Sequence, residues 1–504
     1  MVSVRIFMVT AHASAAAEFR QLRRHGFRWS VSTAPPRIPA MSLQDVSLFV
    51  AATLLLAGCD GTSERRPNVI LISLDTCRAD SMGFLGAARP TPELDALAEQ
   101  SVVFEDCLAQ SSVTAPSHLS ILTGFTVQRH GLLRNGERSV PAHTLASILK
   151  ALGYQTAAFT GHGSLQGKFG HGVGFQVFHS WDRGMDRSDV VGAGPGQRLL
   201  FEAVAEGLDF VDKLGDKPFF LFVHGYDPHL PYWPKEPMRS EFAGWYDGEL
   251  DISDLNRRTD FHPLIEQGLL GQKEHRYLRD LYDAEILGAD QTVGAFLREL
   301  DARGILEDSL VIYTSDHGEL LGEHDWVGHG PFYEDVLHVP LLFRFPRGPW
   351  KGRHDDPVQH TDILPTVLSY LGIPAPAGLQ GADLMPIVRE GRDVLPADRM
   401  RVGRLSNEIS LAFADEPGLR LLFRHTASSL EELEVYDLRS DPEQELNLAA
   451  DREGKERYRP FVKRYLDWSR ESEADDERYR SDLAEIQDED KDILKALGYM
   501  GDDE

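Results

Sequence analysis

Cysteine is scarce in this chain: Cys59, Cys77 and Cys107 are the three in 504 residues. Three thiols cannot frame a disulfide-stapled fold, so a buried apolar core must hold the chain together. Positive charge is also short, with 52 Lys and Arg against 79 Asp and Glu and a formal charge of −27. That balance excludes a polyanion such as DNA as the main partner, because binding one needs clustered basic side chains. It leaves room for a local pocket that takes an anion. The longest apolar run falls short of a membrane-spanning helix, and neither an internal repeat nor a long low-complexity tract occurs. What is present is an ordinary globular balance, 42% hydrophobic and 26% charged. The length allows one large domain with a small one, or two or three modest ones.

The apolar run is "SLFVAATLLLAG", immediately before Cys59. It suits the core of an export signal, and "LAGC" resembles a bacterial lipoprotein signal in which Cys59 is lipidated. A lone cysteine after a short apolar helix is the alternative reading. Residues 1–40 look like a mis-called start or an odd leader and are left out of the fold. The expected location is therefore the bacterial cell envelope, on the periplasmic side, with the membrane reached through a lipid anchor.

From residue 67 strands and helices alternate. "NVILISLD" is a continuous apolar run closed by Asp75, typical of a strand buried on both faces. "TLASILKALGY" has helical spacing, "QTAAFT" and "PFFLFVHGYD" read as strands, and "LRDLYDAEILGADQTVGAFLREL" reads as a long helix. "LEDSLVIYTSDHG" and "VPLLFRFP" are two further strands. The pattern predicts an α/β fold with a large, mixed but mostly parallel sheet between helices. In such sheets ligands bind beyond the carboxyl ends of the strands, where Asp75, His224, Asp227, Asp316 and His317 fall. After about residue 401 short runs such as "LRLLFRH" and "ELEVYDL" predict a small antiparallel sheet, followed by a helix near "RYRPFVKRYLDWSR". The expected organisation is leader and linker over 1–66, a catalytic domain over 67–400, a subdomain over 401–470, and an acidic tail with a terminal helix, "ILKALGYM", over 471–504.

Two carboxylates and an imidazole from distant segments are a common way to hold a hard or borderline divalent ion. Each is weak alone, since a strand-end Asp is as often a helix cap or a turn former. Together with "TAPSHLSILTG", "TPELDALA", "DPHLPY", "YDAEILGAD", "TSDHGELLGEH", "HGPFYEDVLHVPLLF" and "VYDLRSDPEQELNL" they give the chain from about Pro67 to Leu448 its character. In these segments it resembles the sulfatase family of the alkaline-phosphatase superfamily. The resemblance implies a divalent metal (Ca²⁺, Mn²⁺ or Zn²⁺) on Asp75, Asp316 and His317, with Thr114 as nucleophile bridging to it. It further implies Ser117 and His118 in the nucleophile loop and His229 as a substrate-contacting or acid/base residue. His329 stands where such proteins usually carry a lysine.

The departures carry the chemical argument. Sulfatases oxidise a Cys or Ser at the Thr114 position to formylglycine, whose hydrated aldehyde attacks sulfur and later expels the sulfate. Threonine has one hydroxyl and cannot do this, whereas a phosphorylated threonine is resolved by attack of water or another alcohol. The arginine expected after Ser117 is His118, and "TGHG", Thr160 to Gly163, replaces a segment that supplies lysine and histidine. Imidazole is a metal ligand where lysine is a fixed charge, so Asp227, His229 and His329, with His224, are candidates for a second metal site. Hydrogen bonding of these groups to substrate around a single ion is the alternative.

Other residues have plainer expectations. Cys77 and Cys107 are open to pairing as a disulfide. Glu319, Glu323 and His324 are expected to hold the metal loop, and Tyr232 and Trp233 either wall the pocket or simply pack. The resulting expectation is a metal-dependent ester hydrolase, cleaving a phosphate mono- or diester through Thr114. Ser117, His224 and Asp227 contact the substrate, and His118, His229 and His329 join Thr114 in catalysis. The expected substrate is a small anionic ester, an envelope polymer or a lipid headgroup. Alternatives are a sulfuric ester hydrolase by a route without formylglycine, a phosphoryl-type headgroup transferase, and a binding protein that has lost turnover.

Overall fold

Every residue of strand β1, Asn68–Leu74, is buried. Side chains alternate between the faces of a strand, and here both faces are covered. Ile70, Ile72 and Leu74 enter one apolar core, while Val69 and Leu71 enter another. Each such side chain contributes roughly 1.5–3 kcal/mol relative to exposure, so this strand belongs inside a sheet with helices on both sides. The computed structural model describes residues 66–180, 199–250, 258–391, 395–424 and 432–474. Cys59 and its apolar run, the leader, the acidic tail and "ILKALGYM" lie outside the described residues.

The strands that follow are β2 (Val102–Leu108), β3 (Gln155–Thr160), β4 (Val177–His179), β5 (Phe219–Gly225) and β6 (Ser309–Ser315). A two-stranded ribbon, β7 (Leu320–Leu321) and β8 (Val327–Gly328), precedes β9 (His338–Arg344) and β10 (Gly352–Gln359). The eight-stranded sheet has the order β10-β2-β9-β6-β1-β5-β3-β4. β9 is antiparallel to β2 and β6, and every other pairing in this sheet is parallel. Seven strands thus present their carboxyl ends at one edge.

Helices α1 (Pro92–Ala98), α4 (Leu200–Val211) and α5 (Gln272–Ala302) cover one face. Helices α2 (Thr114–Thr123), α3 (Leu145–Ala151) and α6 (Ile363–Tyr370) cover the other. α5 also organises the site edge. The Tyr282 hydroxyl donates to the carbonyl of Thr76 at 2.6 Å and accepts from the Arg78 amide at 2.9 Å. Asp290 accepts from the amides of Leu94 and Glu93, closing the start of α1.

Strands β11 (Met400–Leu405), β12 (Glu408–Phe413), β13 (Leu419–Arg424) and β14 (Glu434–Asp437) form an antiparallel sheet. Its inner face packs on helix α7 (Arg452–Ala474) through Leu411, Leu421, Val435, Val462 and Tyr465. Arginines join this sheet to the larger one. Arg399 meets Asp362 at 2.5 Å, Arg401 meets Asp106 at 2.6 Å and Arg420 meets Glu334 at 2.8 Å. The disulfide left open in the sequence does not form: Cys77 and Cys107 are buried free thiols. Cys77 follows β1 while Cys107 lies in β2, three strands away in the sheet. Strands spaced about 4.8 Å apart put that separation beyond the reach of an S–S bond.

Candidate active site

One rule of alternation assembles the site. On the α2 side of β1 the side chains are Val69, Leu71 and Ser73, and the next in that series is Asp75. On β5 the series is Phe220, Phe222 and then His224; on β6 it is Leu310, Ile312, Thr314 and then Asp316. Parallel pairing sets Ser73 beside His224 and Leu74 beside Ser315, so the three polar groups emerge together. His317 follows at once. Gly318 lets the chain turn there, because a Cβ at that position would stand 2.1 Å from the Asp335 carbonyl.

Facing these strand ends is the first turn of α2. Val113 is extended (φ −140°, ψ 149°), Thr114 begins the helix, and no side chain caps it through Val113. The Ala115 amide donates to Asn135 Oδ1 at 2.8 Å, and Pro116 has no N–H to offer. The Ser117 amide meets the Val113 carbonyl at 3.3 Å, so beyond Thr114 the first turn keeps no free amide and only the helix dipole puts partial positive charge beside that residue.

Both Asp75 oxygens, Asp316 Oδ2, His317 Nε2 and Thr114 Oγ1 are buried without a hydrogen-bond partner. Unpaired buried polar atoms are rare and costly, and here they converge: the ligand atoms of Asp75, Asp316 and His317 all lie within 4.8 Å of one another. Burial, then the charges of Asp316 and Glu319, hold the Asp75 carboxyl well above the usual carboxylate range. The Thr114 hydroxyl is near enough to oppose that rise slightly, although neither group completes a hydrogen bond. Burial raises Asp316 as well, against the pull of His118. His317 Nδ1 donates to the Gly318 carbonyl at 2.9 Å, which leaves the Nε2 lone pair facing the carboxylates. Two carboxylates and such an imidazole fit a hard or borderline divalent cation, which would satisfy every orphaned atom.

The loop after Asp75 is held as expected of Glu319 and Glu323. Arg78 pairs with Asp80 at 2.8 Å, with Glu323 at 2.9 Å and with Asp335. Thr76 gives its hydroxyl to Glu319 at 3.2 Å and its amide to Asp316 Oδ1 at 3.1 Å. His324 instead stacks on Tyr333, ring centroids 3.6 Å apart.

Several expected roles change with the geometry. His118 was expected in catalysis, but its Nδ1 meets the Thr114 carbonyl at 2.9 Å and its Nε2 meets Ser73 Oγ at 3.0 Å. With both nitrogens engaged it clamps α2 to β1. Ser117 was expected to bind substrate, yet its hydroxyl donates to the Asp316 carbonyl at 2.6 Å and lies 3.2 Å from His360 Nδ1. It ties the helix to β6. Asp227 accepts from the Leu200 amide at 2.7 Å and so closes the start of α4. The second-metal set Asp227, His229 and His329 does not converge as the first one does. Among the described residues the other convergent group is His118, His224 and Asp316, in which His118 is already spoken for. Tyr232 packs edge-on against Tyr282 in the core, and the Trp233 amide binds Glu285 at 2.8 Å.

His229 and His329 do meet. Their Nε2 atoms are 3.3 Å apart, while His229 Nδ1 lies 2.5 Å from the Leu230 carbonyl and His329 Nδ1 lies 2.7 Å from the Ser112 carbonyl. The His329 ring also lies against His317, centroids 4.5 Å apart. His224 Nδ1 accepts from the Gly161 amide at 3.3 Å, so its Nε2–H points toward Asp75, 3.7 Å away. Three residues escaped the sequence reading. Asn135, held through Oδ1, leaves its Nδ2 buried without a partner beside the first turn of α2. His162 stacks on Tyr226 at 5.4 Å and stands 6.1 Å from His229. His360 supports Ser117. The signal for Asn135 was faint, one Asn in the turn "LLRNGER".

Strand-end carboxylates and an imidazole gathered around a helix-borne hydroxyl define a hydrolase of sulfuric or phosphoric esters with an alkaline-phosphatase-like fold. The family model described as Sulfatase matches residues 67–373, and the chain belongs to the sulfatase family. It is 24% identical over 495 residues to an N-acetylglucosamine-6-O-sulfatase of Bacteroides thetaiotaomicron, covering 80% of this chain and 86% of that protein. A phosphonate monoester hydrolase of Agrobacterium radiobacter shares the fold with a TM-score of 0.63 at 22% identity, covering 84% and 99%. A structure solved with its substrate D-glucosamine-2-N,6-O-disulfate shares it with a TM-score of 0.65 at 19% identity, covering 82% and 99%.

Proposed function

We propose that this hydrolase cleaves phosphate esters through a phosphothreonine at Thr114. The observation that carries the reading is the Thr114 hydroxyl itself: buried, partnerless and set at a helix N-terminus against Asp75. A divalent cation held by Asp75, Asp316 and His317 supplies, when bound, positive charge that favours the threonine alkoxide and the ester oxygens. Thr114 Oγ1 attacks phosphorus; the Oγ–P bond forms as the bond to the leaving oxygen breaks. The two facing Nε2 atoms of His229 and His329 take the threonine proton and return it to the leaving oxygen. Burial pushes His229 down to about 3, and an anionic oxygen against the pair opposes that shift. The Asn135 Nδ2 group donates to the non-bridging oxygens. Water then attacks phosphorus, breaks the Oγ–P bond and restores the hydroxyl.

The family itself favours a second reading, hydrolysis of sulfate esters, as in the N-acetylglucosamine-6-O-sulfatase. Against it stands the chemistry of threonine, whose sulfate ester has no second hydroxyl to expel it. The test is to load the enzyme with Ca²⁺, Mn²⁺ or Zn²⁺ and assay aryl sulfate, phosphate monoester and phosphodiester side by side. Quenched samples should carry phosphate on the peptide containing Thr114; sulfate there, with turnover, would sink the proposal. Export and lipid anchoring at Cys59 in the bacterial envelope belong to the same proposal, supported by the "LAGC" segment alone.

A further inference from the structure

We infer that Thr76 is a positioning residue whose strained backbone aims Asp316 at the cation. The inference rests on the cation reading of Asp75, Asp316 and His317, and it holds whichever ester is cleaved. Six non-glycine residues among those described have positive φ: Thr76, His324, Asp325, Arg347, Ser406 and Gln444. Thr76, at φ 56°, is the one with a branched Cβ. Left-handed backbone is an outlier for such a side chain, and it lasts only where the surroundings over-determine it. Thr76 is also fully buried, so the protein itself must hold it there.

Its neighbours do so from three sides. The angle φ relates the peptide plane that carries the Thr76 amide to the plane that carries its carbonyl. That carbonyl accepts from the Tyr282 hydroxyl at 2.6 Å, and in the same plane the Cys77 amide donates to Ser315 Oγ at 2.8 Å. The side chain donates to Glu319 Oε1 at 3.2 Å. With that plane and the side chain fixed, the left-handed turn sends the amide to Asp316 Oδ1 at 3.1 Å. The His317 amide reaches the same oxygen at 2.8 Å. Two donors on Oδ1 stop the carboxylate turning about its Cβ–Cγ bond and leave Oδ2 as the atom without a partner. One donor alone would let the group rotate. Asp75 differs, since both of its oxygens lack partners. The cation thus meets one carboxylate already fixed, and a group fixed beforehand loses less freedom on binding.

Titration calorimetry of Mn²⁺ into the chelated, dialysed full chain reads affinity apart from turnover. Thr76→Val and Thr76→Gly both lose the hydroxyl bond to Glu319, but only Thr76→Val keeps a branched Cβ that resists the left-handed turn. Thr76→Val should bind Mn²⁺ roughly tenfold more weakly than wild type, while Thr76→Gly stays within about threefold. Tyr282→Phe frees the carbonyl and should cost roughly tenfold in the wild-type background but under about threefold in the Thr76→Gly background. A merely structural loss would be the same in both. The pair at position 76 decides the matter by itself should Tyr282→Phe fail to fold. Equal affinities for Thr76→Val and Thr76→Gly, or a Tyr282→Phe loss that Thr76→Gly does not relieve, would overturn the inference. A wild-type chain that takes up none of Mn²⁺, Ca²⁺ and Zn²⁺ would remove the cation reading and this inference with it.

Discussion

Two of the places where the molecule buries charge treat it in opposite ways. Where the antiparallel sheet meets the large one, Arg399 is 9% exposed and Arg420 is 4% exposed, and each meets its own carboxylate. Asp362 also receives the amides of Gln359 and Ala382. At the carboxyl ends of β1 and β6, Asp75 and Asp316 are buried just as deeply, yet like faces like and oxygen atoms go unmet. Satisfied charge is architecture here, and unsatisfied charge marks where something else must bind.

Substitutions should break that contrast to different degrees. The largest effect belongs to Thr114→Ala, expected to lower kcat by at least about 10⁴-fold while thermal unfolding stays where it was. Arg399→Met should do the reverse. Leaving Asp362 buried without its partner costs about 3–5 kcal/mol, measured by urea unfolding, with kcat per folded molecule unchanged. Asn135→Ala removes one donor to the transition state and should cost about 10²–10³ in kcat, with KM moving far less. Asp75→Asn relieves the like-charge contact, so the chelated variant should melt about 2–4 °C higher than the chelated wild type and gain nothing from added Mn²⁺.

A further effect concerns pH and a third group of carboxyls. Burial pushes Glu285 from 4.5 up to about 8 and Asp227 from 3.8 up to about 6. The folded state therefore binds more protons than the unfolded chain between those limits, and stability falls as pH rises from about 4.5 to 8. Melting of the chelated protein across that window should show the fall, and Glu285→Gln should flatten it. An unchanged slope would place the titrating groups elsewhere.

How far the sequence carried the reading depends on what each residue encodes. Asp75 and Asp316 were legible because an apolar run ending in a carboxylate states both the strand and its exit point. His317 came with Asp316. The direction of β9 was not legible, since "VPLLFRFP" packs equally well either way round. His118 and Ser117 were misplaced for a different reason: their neighbours, Ser73, His360 and the Asp316 carbonyl, are brought to them by other strands. A motif shows which residues gather and not which atoms remain free. Asp227 shows the same limit, its carboxylate drawn to an amide that begins α4.

The cation cradle is made by the sheet and the attacking hydroxyl is carried by a helix, with His118 and Ser117 as the fastening between them. Such a chassis lets the reactive tip be exchanged without rebuilding its mount. If Thr114 acts as proposed, an exchange of the residue at position 114 is the kind of change by which this architecture would trade one ester chemistry for another.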